Sequence, residues 1–521
     1  MHRDASPRLL IIGLDGADWA LLRPLIDEGA MPTLKALMAQ GASATLESVL
    51  PTNSMSAWTS FMTGVNPGKH GVFDFVRRSG TPFQTPVTNS SSIRFPTMCE
   101  MLSSAGMTSC MIDMPPFYPP FAINGVMIGG IGAGAKQDRA FAEPPEIAER
   151  VEAAEGFAAD VAWVGKAGRE DELIQDLIAL VDNRQRVSEY LLNDRPWDLF
   201  CTVFVAPDRL QHAFWKDLTQ DGPRYQLARG LYERIDAALA RLLDRIDTTA
   251  TDVLIVSDHG FRPAGITFEV SQFLLQEYPQ SRTLAGKFGP PALRFVGKHV
   301  PMPKAAGLAL IDMHRKLQQR QLTSMPAYSD TSDAVRVNLV GRETTGCVPS
   351  ERFDEVRDEV ARRLLAFRNP DTGEAVIESV VKNEEYFHGE YAREAPDLVL
   401  NFHDGYAYGS RMGTILFDWP YCQGVHSLNG IVTAFGPHFR RGVEAGAVSI
   451  MDIAPTVLSL LGVASPEGTD GRPAEALLSQ PAGVVAMSAP APEQRSNEPG
   501  AYSEEEEALV KERLRGLGYI E

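Results

Sequence analysis

The sequence predicts an α/β fold: a mostly parallel central sheet flanked by helices, with an inserted cap region. Three observations predict it. Short, unbroken apolar runs recur at Leu9–Leu14, Trp197–Val205 and Asp252–Ser257. Each has the length of a strand and is apolar on both faces, as in a sheet covered on both sides. Between the last two lies Tyr225–Asp247, where Leu227, Leu231, Ile235, Leu239, Leu242 and Ile246 recur at spacings of three and four, one buried helical face. The alternation of the two patterns is that of strand–helix–strand units with helices on both sides.

In chain order, the first apolar run ends at Asp15-Gly16, and helices are expected over Trp19–Glu28 and Met31–Gln40. A possible strand at Gly125–Ile128 leads into Gly129-Gly130-Ile131-Gly132-Ala133-Gly134. No helix with an acid about 20 residues on follows it, so it reads as a plain loop rather than a phosphate cradle. From about 263 to 345 the alternation stops. Gly289-Pro290-Pro291 and Pro301-Met302-Pro303 interrupt it, and the basic, amphipathic Lys304–Leu322 reads as a cap helix. A strand at Val335–Leu339 and a helix at Glu351–Arg368 follow. Pro396–Leu400 and Gly430–Ala434 then read as core strands again, and Val448–Leu461 as a helix. The segment 473–500 is rich in Pro, Ala and Ser and reads as a linker. Ser503–Tyr519 is a charged helix with Ser503 as N-cap and Glu504 to Glu507 at its positive end. The expected organisation is a core over 1–262, an insertion over 263–395, a return to the core over 396–472, a linker over 473–502 and a terminal helix over 503–521.

Composition narrows the function. With 49 Lys and Arg against 67 Asp and Glu, the net charge is −18, which argues against a nucleic-acid or anionic-membrane binder. Hydrophobic content of 44% and charged content of 22% are those of a globular chain with a large core. No apolar run approaches the roughly 18 residues of a spanning helix, and Leu9–Leu14 is too short for a signal peptide. Five scattered cysteines without CxxC spacing suit reduced thiols. A cytoplasmic enzyme is the expectation.

The position of the acids and histidines carries the chemistry. Asp15 follows the first strand; Asp208, with His212 four residues on, follows the second; Asp258 and His259 follow the third; His426 stands just before the strand at 430. In open α/β sheets ligands collect beyond the carboxyl ends of the strands, so six such residues would converge on one edge. Taken singly, an Asp after a strand is usually a helix cap and a D-x-x-x-H pair usually lies on the surface; jointly they predict two metal sites. Three Asp and three His suit Zn²⁺, with Mn²⁺ or Fe²⁺ as alternatives. Two such ions can clamp the attacking and leaving oxygens of a phosphoryl transfer. The segment Leu50–Phe75 offers hydroxyls at Thr52, Ser54, Ser56, Thr59, Ser60 and Thr63, any of which needs a base or metal to become a nucleophile. His70, in Gly68-Lys69-His70-Gly71, reads as a turn histidine.

These residues resemble the alkaline phosphatase superfamily, in its type I phosphodiesterase/nucleotide pyrophosphatase branch and related phosphohydrolases. The resemblance runs from about 8 to 472. It rests on LLIIGLDG at the start, the text at 56–71, APD-LQH at 206–212, SDHG at 257–260, APDLVL at 395–400, GVH at 424–426 and MDIAPTVLSLLG at 451–462. It implies an alkaline-phosphatase-like core with Asp15, Asp258 and His259 holding one zinc and Asp208, His212 and His426 the other. It places the nucleophile at Ser54, in contact with the first metal, with Thr52 as the fallback. Two positions depart from the family pattern. Ser54-Met55-Ser56 stands where Thr-x-Pro is common, and Ala57 stands where nucleotide pyrophosphatases carry an asparagine that contacts phosphate. The implied activity is phosphodiesterase or pyrophosphatase, with phosphomonoesterase or phosphomutase as the alternative on the same core. The implied substrate is a small phosphorylated molecule such as a nucleotide, a sugar nucleotide or a lipid headgroup diester. A non-catalytic binding protein is the remaining alternative, disfavoured by the presence of all six ligands.

Overall fold

The structure is a computed structural model. It describes residues 8–77, 86–130, 141–161, 168–278, 325–329, 333–409, 414–419 and 423–481, and 507, 508, 510–512 and 514 near the C-terminus. The predicted cap helix Lys304–Leu322, the loop from Ile131 to Gly134 and most of the linker and terminal helix lie outside the described residues.

A ten-stranded sheet forms the centre. Its strands are β1 (Arg8–Leu14), β2 (Ala42–Glu47), β3 (Ser109–Met114), β4 (Gly125–Gly129), β5 (Ala142–Glu143), β6 (Leu199–Phe204), β7 (Thr251–Val256) and, later in the chain, Asn429–Phe435, Val443–Glu444 and Val448–Ser449. β1 lies in the middle, parallel to both β6 and β7, and β6 continues in parallel to β3 and β4. Asn429–Phe435 runs antiparallel between β7 and β2, so the sheet is mixed at that side. The alternation along β1 explains the layers. Leu10, Ile12 and Leu14 enter one core with the helices α1 (Trp19–Asp27) and α2 (Pro32–Gln40), and with later helices on that face. Leu9 and Ile11 enter the opposite core with α3 (Ser54–Thr63) and the helix Ile453–Leu460. All five side chains are at most 1% exposed, and each such burial stabilises by roughly 1.5–3 kcal/mol.

A second body packs beside this core. Strands Ala327–Ser329, Ala334–Val337, Leu398–Phe402 and Ile377–Lys382 form a four-stranded antiparallel sheet backed by the helix Phe353–Ala366. This corrects the placement of Pro396–Leu400. The strand there, Leu398–Phe402, pairs with the inserted strands and not with the central sheet, because its partners in register are Ile377–Lys382 and Ala334–Val335. An apolar strand buried on both faces looks alike in either sheet, so the pattern alone could not choose. The predicted helix Val448–Leu461 is also shorter. Val448 pairs with Leu46, and a reciprocal cap follows in which Ser449 Oγ accepts from Met451 N and Asp452 Oδ2 from Ser449 N. That cap opens a single 3₁₀ turn, Ile450–Asp452, and the α-helix starts only at Ile453. The first part of the predicted linker is packed rather than free. Ala474, Leu477 and Leu478 are buried, and Arg440 N donates to Leu477 O at 2.8 Å.

Candidate functional site

Each candidate side chain stands at an element boundary, and local chemistry explains why. β1 ends just before Asp15, whose backbone N–H still donates to Phe204 O at 3.0 Å. The cap of α1 is supplied by Asp18, whose Oδ1 accepts from Ala20 N at 2.6 Å, so Asp15 is not needed there. Between them Gly16 takes φ +68, open to glycine at little cost, and turns its N–H onto Asp258 Oδ1 at 3.1 Å. Asp258 and His259 follow β7 and precede the strand β8 (Gly260–Pro263). A Cβ at Gly260 would come within 2.1 Å of Asn429 O, so only glycine permits this close crossing. Asp208 and His212 lie on one helix, α8 here (Ala206–Thr219) with α4 to α7 being Pro67–His70, Met98–Ser104, Pro145–Ala154 and Glu170–Asp194. His426 lies on the strand Gly424–Ser427, antiparallel to β8.

Beyond His212 the helix α8 kinks at Phe214 (φ −129, ψ 23), and Gln423 accounts for it. The helical bond from Lys216 N to His212 O is replaced: Gln423 N donates to His212 O at 2.8 Å, and Gln423 Oε1 accepts from Lys216 N at 2.9 Å. A residue inserted into the helical ladder is a recognised cause of kinking. The next residue, Gly424, accepts from His212 Nδ1 at 2.9 Å. The helix is thereby docked onto the strand that carries His426.

All seven predicted residues come together. Ser54 Oγ lies 3.4 Å from Asp15 Oδ1 and 3.3 Å from His259 Nε2. His259 Nε2 lies 3.2 Å from Asp258 Oδ2 and 3.9 Å from Asp15 Oδ1. Asp208 Oδ1 lies 3.2 Å from His426 Nε2 and 3.5 Å from His212 Nε2, and the two Nε2 atoms are 3.0 Å apart. The His259 and His426 rings stack at 3.8 Å between centroids, joining the halves. Ser54 opens α3, whose cap is the neighbouring Asn53, with its side chain accepting from Ser56 N. Thr52 is placed differently. Its hydroxyl donates to Val49 O at 3.3 Å, and its carbonyl accepts from His426 Nδ1 at 3.0 Å. His70 is the expected structural turn residue: Nδ1 accepts from Val72 N and Nε2 meets Ser60 Oγ at 2.9 Å. Burial pushes it down to about 3.

His212, His259 and His426 each direct Nδ1 at a backbone carbonyl, of Gly424, Gly260 and Thr52. Carbonyls only accept, so Nδ1 carries the proton and Nε2 presents a lone pair in the neutral ring. Burial pushes His212 down to about 4 and His259 well below its usual value, so both are neutral near pH 7. Asp15 is raised well above the carboxylate range by burial and then by Asp258 and Asp208. Burial, and after it the Asp208 charge, lifts Asp258 to about 7 against the Gly16 hydrogen bond. Asp208 is different. Burial opposes its ionisation, but His212, the His426 hydrogen bond and Arg209 outweigh it and hold the carboxyl well down. His426 is the exception: against burial, its hydrogen bond to Asp208 and the Asp208 charge raise it, so its Nε2 donates to Asp208 Oδ1 at 3.2 Å. The lone pair of His259 Nε2, by contrast, faces the Asp258 carboxyl at 3.2 Å, an arrangement that a cation would relieve. Among the described residues, two groups have ligand atoms mutually within 4.8 Å: Asp15, Asp258 and His259, and Asp208, His259 and His426. This donor set of imidazole and carboxylate fits divalent metal ions. His259 borders both groups, and His212 joins the second through its 3.0 Å approach to His426.

The model of one family, type I phosphodiesterase/nucleotide pyrophosphatase, matches residues 9–428, the span that supplies every residue of this site. The chain belongs to the type I phosphodiesterase/nucleotide pyrophosphatase family. It is a hydrolase of phosphoric esters in a metal-dependent family, with an alkaline-phosphatase-like fold. Among solved structures, human ectonucleotide pyrophosphatase/phosphodiesterase 5 aligns with 91% of this chain and 100% of its own at 14% identity and a TM-score of 0.53. Its murine counterpart, an inactive variant in complex with AMP, aligns with 90% and 100% at 14% identity and 0.54. Phosphonoacetate hydrolase from Sinorhizobium meliloti 1021, in complex with phosphonoacetate, aligns with 88% and 96% at 17% identity and 0.53. These likenesses show the fold. No curated protein matches the chain. For this phosphodiesterase family member, motif spacing missed Trp58, whose Nε1 donates to Asp15 Oδ2 at 3.1 Å, and also Arg209 and Gln423. Trp58 stands four residues after Ser54 on α3, one helical turn on, which was the available signal.

Proposed function

We propose that the protein hydrolyses phosphodiester or pyrophosphate bonds of small molecules with two divalent ions, zinc in the first instance and manganese as the alternative, through a phosphoseryl intermediate. Asp15, Asp258 and His259 would hold one ion, in contact with Ser54, and Asp208, His212 and His426 the other. The observation that carries the reading is the Ser54 hydroxyl, buried at the start of α3 within 3.4 Å of both Asp15 and His259. When bound, the ions supply positive charge that favours the ionised hydroxyl and the departing oxygen. Ser54 releases its hydroxyl proton to solvent as Oγ attacks phosphorus in line, the bond to the leaving oxygen breaks, and that oxygen takes up a proton from solvent, so no net proton is gained or lost in the step. Water then attacks the phosphoserine, releasing phosphate or a phosphomonoester and returning the proton to Ser54. Asp15, held by Trp58, and His259, held by Gly260, orient around the hydroxyl throughout. Thr52 is the weaker candidate because its hydroxyl is turned to Val49 O.

Nucleotides, sugar nucleotides and lipid headgroup diesters are the substrate classes we put forward, and the cytoplasm remains our proposed location. The test is hydrolysis of bis-p-nitrophenyl phosphate against p-nitrophenyl phosphate, with Ser54→Ala as the blank. A strong diester preference abolished by Ser54→Ala is expected, with chelation inactivating and Zn²⁺ or Mn²⁺ restoring. Near-full activity of Ser54→Ala, or activity persisting after verified metal removal, would sink the mechanism. A monoester preference would make the phosphatase or mutase reading the better one.

A further inference from the structure

Arg209 follows Asp208 directly, yet its guanidinium turns back onto it. Nη1 donates to Asp208 Oδ2 at 2.7 Å and Nη2 to Asp160 Oδ2 at 2.9 Å. Arg209 and Asp208 have side chains 4% and 0% exposed and Asp160 11%. Asp160 sits on a segment fastened to α7. Asn183 Oδ1 accepts from Ala158 N at 2.9 Å, Asn183 Nδ2 donates to Gly156 O at 2.9 Å, and Arg184 donates to Ala158 O at 3.1 Å. Asp208 is thus held on one oxygen by a buried cation that bridges it to Asp160, on a segment hydrogen-bonded to α7. Its second oxygen, Oδ1, is the one that faces His426 and His212.

We propose that Arg209 is a positioning residue that leaves Asp208 only Oδ1 with which to hold a metal ion, and that Asp160 is its anchor and counter-charge. The inference rests on the two-ion reading above. It also separates Arg209 from substrate binding: a guanidinium engaged by two carboxylates and shut off from solvent does not grip a substrate phosphate. Outer partners of ligating carboxylates typically change metal affinity by about 10- to 100-fold when removed.

The experiment is a competitive chelator titration of the full chain, resolving each metal equivalent, with the melting temperature of the metal-free protein as the check on folding. Wild type is expected to hold two equivalents. In Arg209→Met one equivalent is expected to weaken by about 10- to 100-fold while the other keeps its affinity, and kcat should fall more than KM rises. Arg209→Lys keeps the cation but cannot span both carboxylates, and should recover only part of the loss. Wild-type affinity for both equivalents in Arg209→Lys and in folded Arg209→Met would overturn the proposal while leaving the two-ion reading intact. Should Arg209→Met not fold, unchanged affinity in Arg209→Lys overturns it alone. Fewer than two equivalents in the wild type would overturn the two-ion reading, and this inference with it, before any variant is measured.

Discussion

Asp15, Asp258 and His259 stand at the ends of adjacent parallel strands, whereas Asp208, His212 and His426 stand on a helix and on the strand Gly424–Ser427, which pairs with β8. The first group has side chains at most 2% exposed, while His212 and His426 are 20% and 11% exposed. The carboxyls of the first group are raised, chiefly by burial and then by neighbouring carboxylates, Asp208 included. Asp208 is held ionised by His212, His426 and Arg209. The first half is thus a buried carboxylate pocket positioned by the rigid sheet, where the Arg209 charge reaches Asp15 without offsetting its burial. The second carries its own positive partner and is aligned by the docking of α8 onto the strand of His426. On the proposed reading, a metal ion would relieve repulsion in the first half and compete with an existing hydrogen-bond network in the second.

The largest effect expected from this difference is chemical. Ser54→Ala, in the first half, should lower kcat by at least about 10³-fold with metal content unchanged, measured by steady-state kinetics beside metal analysis. Next comes ligand removal. Asp258→Asn should cost more activity than His212→Ala, because the second half keeps Asp208 and His426 on its fixed supports; equal losses would contradict the asymmetry.

A thermal prediction follows from the raised carboxyl. Asp258 is lifted from its usual 3.8 to about 7, so the fold favours its protonated form. Its contribution to stability is present below about pH 4 and lost as the pH rises through 7. In metal-free protein the melting temperature of Asp258→Asn relative to wild type should therefore increase between pH 4 and 8, by on the order of 5 °C. Saturating metal should reverse the order. A flat difference across that range would refute the pocket's charge repulsion. The smallest effect is expected at Gln423. Removing its side chain leaves the Lys216 amide without Oε1, and Gln423→Ala should cost about 1 kcal/mol in denaturant unfolding with a loss of kcat below about tenfold. A loss like that of His212→Ala would mean that the docking, not the imidazole, governs the second half.

Much of this was legible in the chain. The apolar runs located β1, β6 and β7, and Asp15, Asp208 with His212, and Asp258 with His259 follow them directly in sequence. A parallel sheet sends those strand ends to one edge, so three separate segments could be foreseen to meet. The strand at Leu398–Phe402 was misplaced because its apolar pattern suits either sheet, and only its register with Ile377–Lys382 decides. The packing of Ala474, Leu477 and Leu478 was hidden by a composition that also suits linkers. Arg209 could not be found by spacing at all, since neighbouring residues on a helix do not face each other.

By itself the sequence determined the α/β class, the strands β1, β6 and β7 and the hydroxyl and metal-capable side chains on offer at their ends, because strand and helix periodicity act within a few residues. Tertiary structure alone decided that Arg209 spans Asp208 and Asp160, that Gln423 enters the ladder of α8, and that His259 borders both groups. Each of these joins groups far apart in sequence, through hydrogen bonds whose partners are selected only once the elements pack and water is excluded.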